Sequence, residues 1–368
     1  MESVYLNHAG TSWPKPILVK EAVAVQMDSD PAHWGEGFAR AHDTISAFFH
    51  ISQPKDLLLT PGCTSALEVG VRDHWWQSGD RVITSSMEHH ALYRPLQSLT
   101  AYGVELEVVP RDSSGGPLDL EVLEARLQRG GTKMVAMTAA SNVTGEIFPY
   151  KDIIELSHRY GALVFLDLAQ IVGWVDLDLP ALGVDLAAFA GHKALNGPWG
   201  IGGLYIKPGL SMHTPEAHCE LGGGGCEVRP SYCDTGSVDR LALRGLAKAC
   251  GWLNEPLQQG RLARGQALAR SLREELAKIK GTQIYGSDHE DDCLPTVAFT
   301  WEAGEPSECA RKLEEMGVVV SGGIQCAPLA HKTLGTGHKG VVRVSFGVNS
   351  CEQDLEKLVE VLNIWRRS

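Results

Sequence analysis

The sequence contains no run of uncharged apolar residues long enough to span a bilayer, and no Cys-x-x-Cys pair. The first absence leaves no candidate membrane span. The nine cysteines are odd in number and scattered, which reads as reduced thiols in a cytoplasmic protein rather than a disulfide framework. The fourteen histidines show no metal-ligand spacing with cysteines, so no metal site is expected. Positive charge is also short: 33 Lys and Arg against 45 Asp and Glu give a formal net charge of -12. That balance argues against nucleic acid or an anionic membrane surface as a partner. The opening residues Met1 to Leu6 lack a basic start followed by an apolar core, so no signal peptide is expected. No internal repeat or low-complexity tract interrupts the chain. At 368 residues it can bury the core of a large domain and of a smaller one without covalent staples.

What is present centres on Gly191-His192-Lys193, between the apolar run Leu186 to Ala190 and the glycine-rich stretch Asn196 to Tyr205. A lysine at the end of a buried strand, with a second strand following almost at once, is held inside the protein. Desolvation disfavours its ammonium and yields an amine able to form a Schiff base with an aldehyde. Upstream, Leu163 to Gln170 is an apolar strand ending in Asp167, with an amide at Gln170. A pyridoxal phosphate enzyme needs a carboxylate against the pyridinium nitrogen and a lysine at the aldehyde carbon. Asp167 and Lys193 supply that pair, although Asp167 taken alone is equally well a helix N-cap.

Strand and helix patterns alternate along most of the chain. Asp56 to Glu68 reads as a strand entering a helix through a Gly/Thr/Ser turn, where the free amides of the helix start suit a phosphate, although taken alone Thr64 and Ser65 read equally well as a plain capping box. Strands are expected at 81–85, 104–109, 134–138, 163–167 and 186–190, with polar residues at their carboxyl ends converging on one crevice. His89, Asn142, Asp167, Gln170, His192 and Lys193 fall there. The expected architecture is α/β: an N-terminal arm (1–20) rather than a core element, a large mostly parallel-sheet domain (21–245) and a smaller α+β domain (246–368). A turn-rich surface stretch is expected over 30–37 and functional loops at 221–227 and 233–239.

Together these motifs resemble the class V aminotransferases of the cysteine desulfurase group, within fold type I of the pyridoxal phosphate enzymes. The resemblance runs from Asn7-His8-Ala9-Gly10-Thr11 to the final helix, and is most specific at Gly323 to Thr336, which is similar to the loop bearing a persulfide-forming cysteine. It implies Lys193 as the Schiff-base lysine and Asp167 as the partner of the pyridine nitrogen. His89 would stack on the cofactor ring and shuttle protons, with Gln170 and Asn142 near the phenolic oxygen and the substrate. Thr64 and His192 would be phosphate ligands, Cys63 would be a further cofactor-binding residue, and Ser237 would lend a hydroxyl to the phosphate site of the neighbouring subunit of a homodimer. Arg343 would clamp the substrate carboxylate, a task its fork geometry suits, and Cys326 would accept sulfur. The implied activity is conversion of L-cysteine to L-alanine and an enzyme-bound persulfide, destined for a protein sulfur acceptor. A C–S lyase or selenocysteine lyase of the same fold, acting on L-selenocysteine, stays open, as does an aminotransferase or epimerase that does not use Cys326. The chain departs from the family pattern at Ala190, where serine is usual, at Ser321, where arginine is usual, at Gln325, where histidine is frequent, and at Asp239, where asparagine is usual.

Overall fold

The computed structural model describes residues 3–74, 76–210, 212, 239–287 and 289–365. The expected loop at 221–227 and Ser237 lie outside the described residues.

A seven-stranded sheet organises the larger part of the molecule. Its strands run, edge to edge, Leu57–Thr60, Gly202–Ile206, Leu186–Ala190, Leu163–Asp167, Thr132–Thr138, Arg81–Ser85 and Glu105–Val109. All are parallel except Gly202–Ile206, which is antiparallel to both neighbours. The inner strands are apolar on both faces, as a sheet covered by helices on each side requires. Val164, Leu166, Ala187 and Phe189 enter one core, while Phe165, Leu186, Ala188 and Ala190 enter the other. Close approach of one covering helix, Cys63–Arg72, depends on Gly70: a Cβ there would lie 2.4 Å from the Phe165 ring.

A four-stranded antiparallel sheet carries the second core, in the order Ser321–Gly323, Val341–Ser345, Thr296–Trp301, Thr282–Tyr285. Its cluster includes Phe299, Val342, Val344 and Leu358, and also Leu6. The first residues are therefore not a free arm. Val4–Tyr5 pairs in parallel with Val318–Val319, and Leu6 is fully buried, because alternating Val4 and Leu6 offer an apolar face to that core. The stretch expected as a turn over 30–37 is likewise corrected. Asp30 caps a short 3-10 turn, Pro31–His33, that leads directly into the helix Trp34–Phe48, and Glu36 and Arg40 pair one turn apart on it. Asp239 takes the N-cap of the helix Arg240–Leu253 and accepts from the Ala242 amide at 2.8 Å. Aspartate and asparagine serve that position equally. No helix among the described residues is long and apolar enough to cross a membrane.

Candidate active site

The parallel strands end in polar residues along one edge: Thr60, Ser85, Thr138 and Asp167, with Lys193 three residues beyond Ala190. Asp167 is buried. Its Oδ1 accepts from the Ala169 amide at 2.9 Å and from the Cys63 thiol at 3.5 Å. Burial raises the Asp167 pKa against the opposing pull of Lys193, and burial together with Asp167 raises that of Cys63. Burial lowers the pKa of Lys193, which Asp167 partly counteracts. Lys193 is only partly buried and keeps some contact with solvent while crowded by these groups.

His89 caps the helix His90–Ser98, with Nδ1 accepting from the Ala91 amide at 3.0 Å. An accepting Nδ1 places the imidazole proton on Nε2. Burial, then Lys193, pushes its pKa down to about 4, so the ring is neutral at physiological pH. The helix Cys63–Arg72 begins behind Gly62 with no side-chain cap, leaving the amides around Cys63 and Thr64 for an anion. His192 uses Nδ1 toward the Thr11 hydroxyl at 3.1 Å, and its pKa too falls to about 4 through burial. Gln170 donates to the Ala9 carbonyl at 3.1 Å.

From the other core comes Arg343, fully enclosed, with burial lowering its pKa to about 10. Nη1 donates to the Asn142 carbonyl at 2.7 Å and Nη2 to Asn7 Oδ1 at 2.8 Å, while Nε has no protein partner among the described residues. A buried guanidinium with donors to spare is built to meet an anion. Cys326 is exposed, its carbonyl accepts from the His90 amide at 2.8 Å, and it neighbours both Lys193 and Arg343. The structure thus gathers Lys193, Asp167, Cys63, His89, Arg343 and Cys326 in one crevice, with Asn142, Gln170, Thr64 and His192 around it.

Three neighbours escaped sequence reasoning. Asn7 holds Arg343. Lys15, between two prolines, donates to Ser12 Oγ and the His192 carbonyl, both at 2.8 Å, and burial lowers its pKa to about 7. Glu88 lies fully buried, bonded by the Ser85 hydroxyl and the Thr138 amide. Its signal was its place just past the end of the strand Arg81–Ser85, at the edge of the sheet where Asp167 closes its own strand.

Burial, with Asp167 adding to it, raises the Glu88 pKa from 4.5 to about 8. The folded state therefore holds an extra proton between those values, and the resulting stabilisation is complete below the lower value and lost as pH rises through the upper. The thermal midpoint should fall by several degrees between about pH 5 and about pH 8.5, and Glu88→Gln, which keeps the acceptor and removes the ionisation, should flatten much of that slope. Calorimetry of both proteins across this range checks it; identical slopes would refute it.

The profile of the class-V aminotransferases matches residues 19–358. A cysteine desulfurase of Dickeya dadantii (strain 3937) is 31% identical over 337 residues, which cover 87% of this chain and 79% of that one. A probable cysteine desulfurase of Halalkalibacterium halodurans is 29% identical, covering 98% and 92% respectively. Among solved structures, the cysteine desulfurase CsdA from Escherichia coli superposes with a TM-score of 0.86 at 25% identity, covering 99% of this chain and 94% of that one. The apo cysteine desulfurase from Thermococcus onnurineus NA1 shares the fold with a TM-score of 0.89 at 24% identity, covering 99% and 95%. The expected fold type I architecture is the one these chains have in common.

Proposed function

Because the chain belongs to the class-V aminotransferase family, we propose that it is a pyridoxal phosphate-dependent cysteine desulfurase, converting L-cysteine to L-alanine and passing the sulfur to Cys326. The observation that carries this reading is the convergence of a partly buried amine, Lys193, whose pKa desolvation lowers, and an exposed thiol, Cys326, beside the enclosed guanidinium of Arg343.

The residues present fit the cofactor. Lys193 offers a desolvated amine to the aldehyde, Asp167 an enclosed carboxylate to the pyridine N–H, and His89 a neutral ring to its face. The uncapped amides around Cys63 and Thr64 suit its phosphate, with His192 alongside; Gln170 and Asn142 would stand near the phenolic oxygen. When bound, the cofactor supplies an electrophilic carbon and an electron sink. Arg343 holds the substrate carboxylate through donors its protein partners leave free. Lys193 Nζ, whose pKa burial lowers, takes the Cα proton and later returns a proton to the carbon fragment. His89 Nε2 carries a proton that can be lent at the ring. Cys326, reacting as thiolate, forms an S–S bond to the substrate sulfur as the Cβ–S bond breaks. One thiol and one cysteine thereby become one persulfide and one alanine, with no outside oxidant.

A homodimer is part of the reading, with Ser237 completing the partner's phosphate site. It is supported by exposed Ile17, Val25 and Met27 on one helix and by exposed Trp199. Location in the cytoplasm, delivery to a protein acceptor and use of L-selenocysteine belong to the same reading. Incubating the cofactor-loaded protein with L-cysteine and a reductant, and measuring alanine, pyruvate and sulfide separately, tests it. Alanine and sulfide should rise in equal amounts; pyruvate as the main carbon product would overturn the assignment in favour of β-elimination.

A further inference from the structure

Gln325 and Cys326 have φ of 41° and 57°, a left-handed conformation that side chains other than glycine's adopt at a cost and keep only where neighbours over-determine it. The neighbours are identifiable. The Asn142 amide donates to the Gln325 carbonyl at 2.8 Å, the His90 amide donates to the Cys326 carbonyl at 2.8 Å, and Gln325 Nε2 donates to the Val341 carbonyl at 3.0 Å. Because a carbonyl only accepts, the Asn142 group facing Gln325 is its NH2. Asn142 is itself enclosed, and its backbone carbonyl accepts from Arg343 Nη1 at 2.7 Å. Its own turn is stiffened by the Ser141 hydroxyl, which accepts from the amides of Val143 and Thr144.

One residue therefore touches both the anion-binding arginine and the strained cysteine loop. We propose that Asn142 is a latch, a positioning residue that couples carboxylate recognition at Arg343 to the placement of Cys326 for sulfur transfer. The loop has two arrangements available, strained and latched or relaxed and released, and a carboxylate on Arg343 that fixes the guanidinium also fixes the carbonyl of Asn142, favouring the first. The inference rests on the desulfurase reading for its use, but not for its geometry. It assigns one hydrogen of the Asn142 NH2 to the loop and leaves the other for the cofactor, and the bond from Asn142 does not depend on the residue type at 325, since it ends on the Gln325 backbone carbonyl.

The test is hydrogen exchange of the full chain, with and without pyridoxal phosphate, together with steady-state kinetics. Asn142→Leu keeps the size and removes the donor. The peptide spanning residues 321–334 should exchange at least about tenfold faster than in the parent, while alanine formation loses about tenfold or more in kcat with KM held within about threefold. Should Asn142→Leu not fold, Asn142→Asp removes the donor with the polar shape retained and should release the loop equally. Unchanged exchange of the loop in a folded variant overturns the latch, and so does a rise in KM at constant kcat, the signature of a ground-state substrate contact. A parent protein that makes no alanine from L-cysteine would defeat the desulfurase reading instead, while the exchange experiment would still decide the latch.

Discussion

Replacing Lys193 by alanine is expected to abolish turnover, with a loss of roughly ten-thousand-fold or more, because the amine serves both as the attachment point and as the base at Cα. No neighbouring amine can stand in. Lys15 lies beside His192, and although burial brings its pKa to about 7, its Nζ is committed to Ser12 Oγ and the His192 carbonyl. The fold should survive. The peptide before Lys193 is held from outside, since the His192 carbonyl accepts from the Ser12 amide at 3.0 Å and the Thr11 hydroxyl at 3.0 Å as well as from Lys15. Removing a desolvated amine relieves a burial penalty at the same stroke, so the thermal midpoint should not drop. Loss of the visible absorbance of the lysine-linked cofactor, at an unchanged midpoint, is the expected pair of results. A variant that keeps the absorbance would remove Lys193 from its role.

The strands that position the site were legible because a buried parallel strand is a short apolar run with a polar stop. Arg81–Ser85, Leu163–Asp167 and Leu186–Ala190 fall where the pattern predicts. Ser321–Gly323 did not read as a strand, since two of its three residues are glycines without side chains to alternate. The glycine is nonetheless required: a Cβ on Gly322 would lie 2.1 Å from the Pro306 carbonyl oxygen. Contacts distant in sequence were the least visible part of the site. Nothing local in Asn142 announces a bond to Gln325, 183 positions away, or in Asn7 a bond to Arg343. Lys15 misleads for the opposite reason, because its flanking prolines describe a loop while its ammonium is drawn inward. Residue type and strand-end position thus identified the reacting groups, whereas the groups that hold them required the tertiary structure.

The second large effect concerns Cys326. Its side chain is exposed and its loop is held through backbone carbonyls, so Cys326→Ala should fold and load cofactor as the parent does. Carboxylate binding at Arg343 and proton removal by Lys193 ask nothing of the thiol. Sulfur, however, has no acceptor without it, and alanine release from L-cysteine should collapse by orders of magnitude, as loss of a covalent nucleophile does. An enzyme that expels the thiol by β-elimination would instead go on producing pyruvate in the same variant. A selenocysteine lyase would retain activity on L-selenocysteine, because selenium is the better leaving group.

The most direct measurement is mass spectrometry of the peptide carrying Cys326 after the cofactor-loaded protein meets L-cysteine without reductant. The desulfurase reading predicts that this peptide, and not those of Cys63 or Cys351, gains the mass of one sulfur atom in step with the first equivalent of alanine. Alanine formed at the full rate while Cys326 stays unmodified would contradict it.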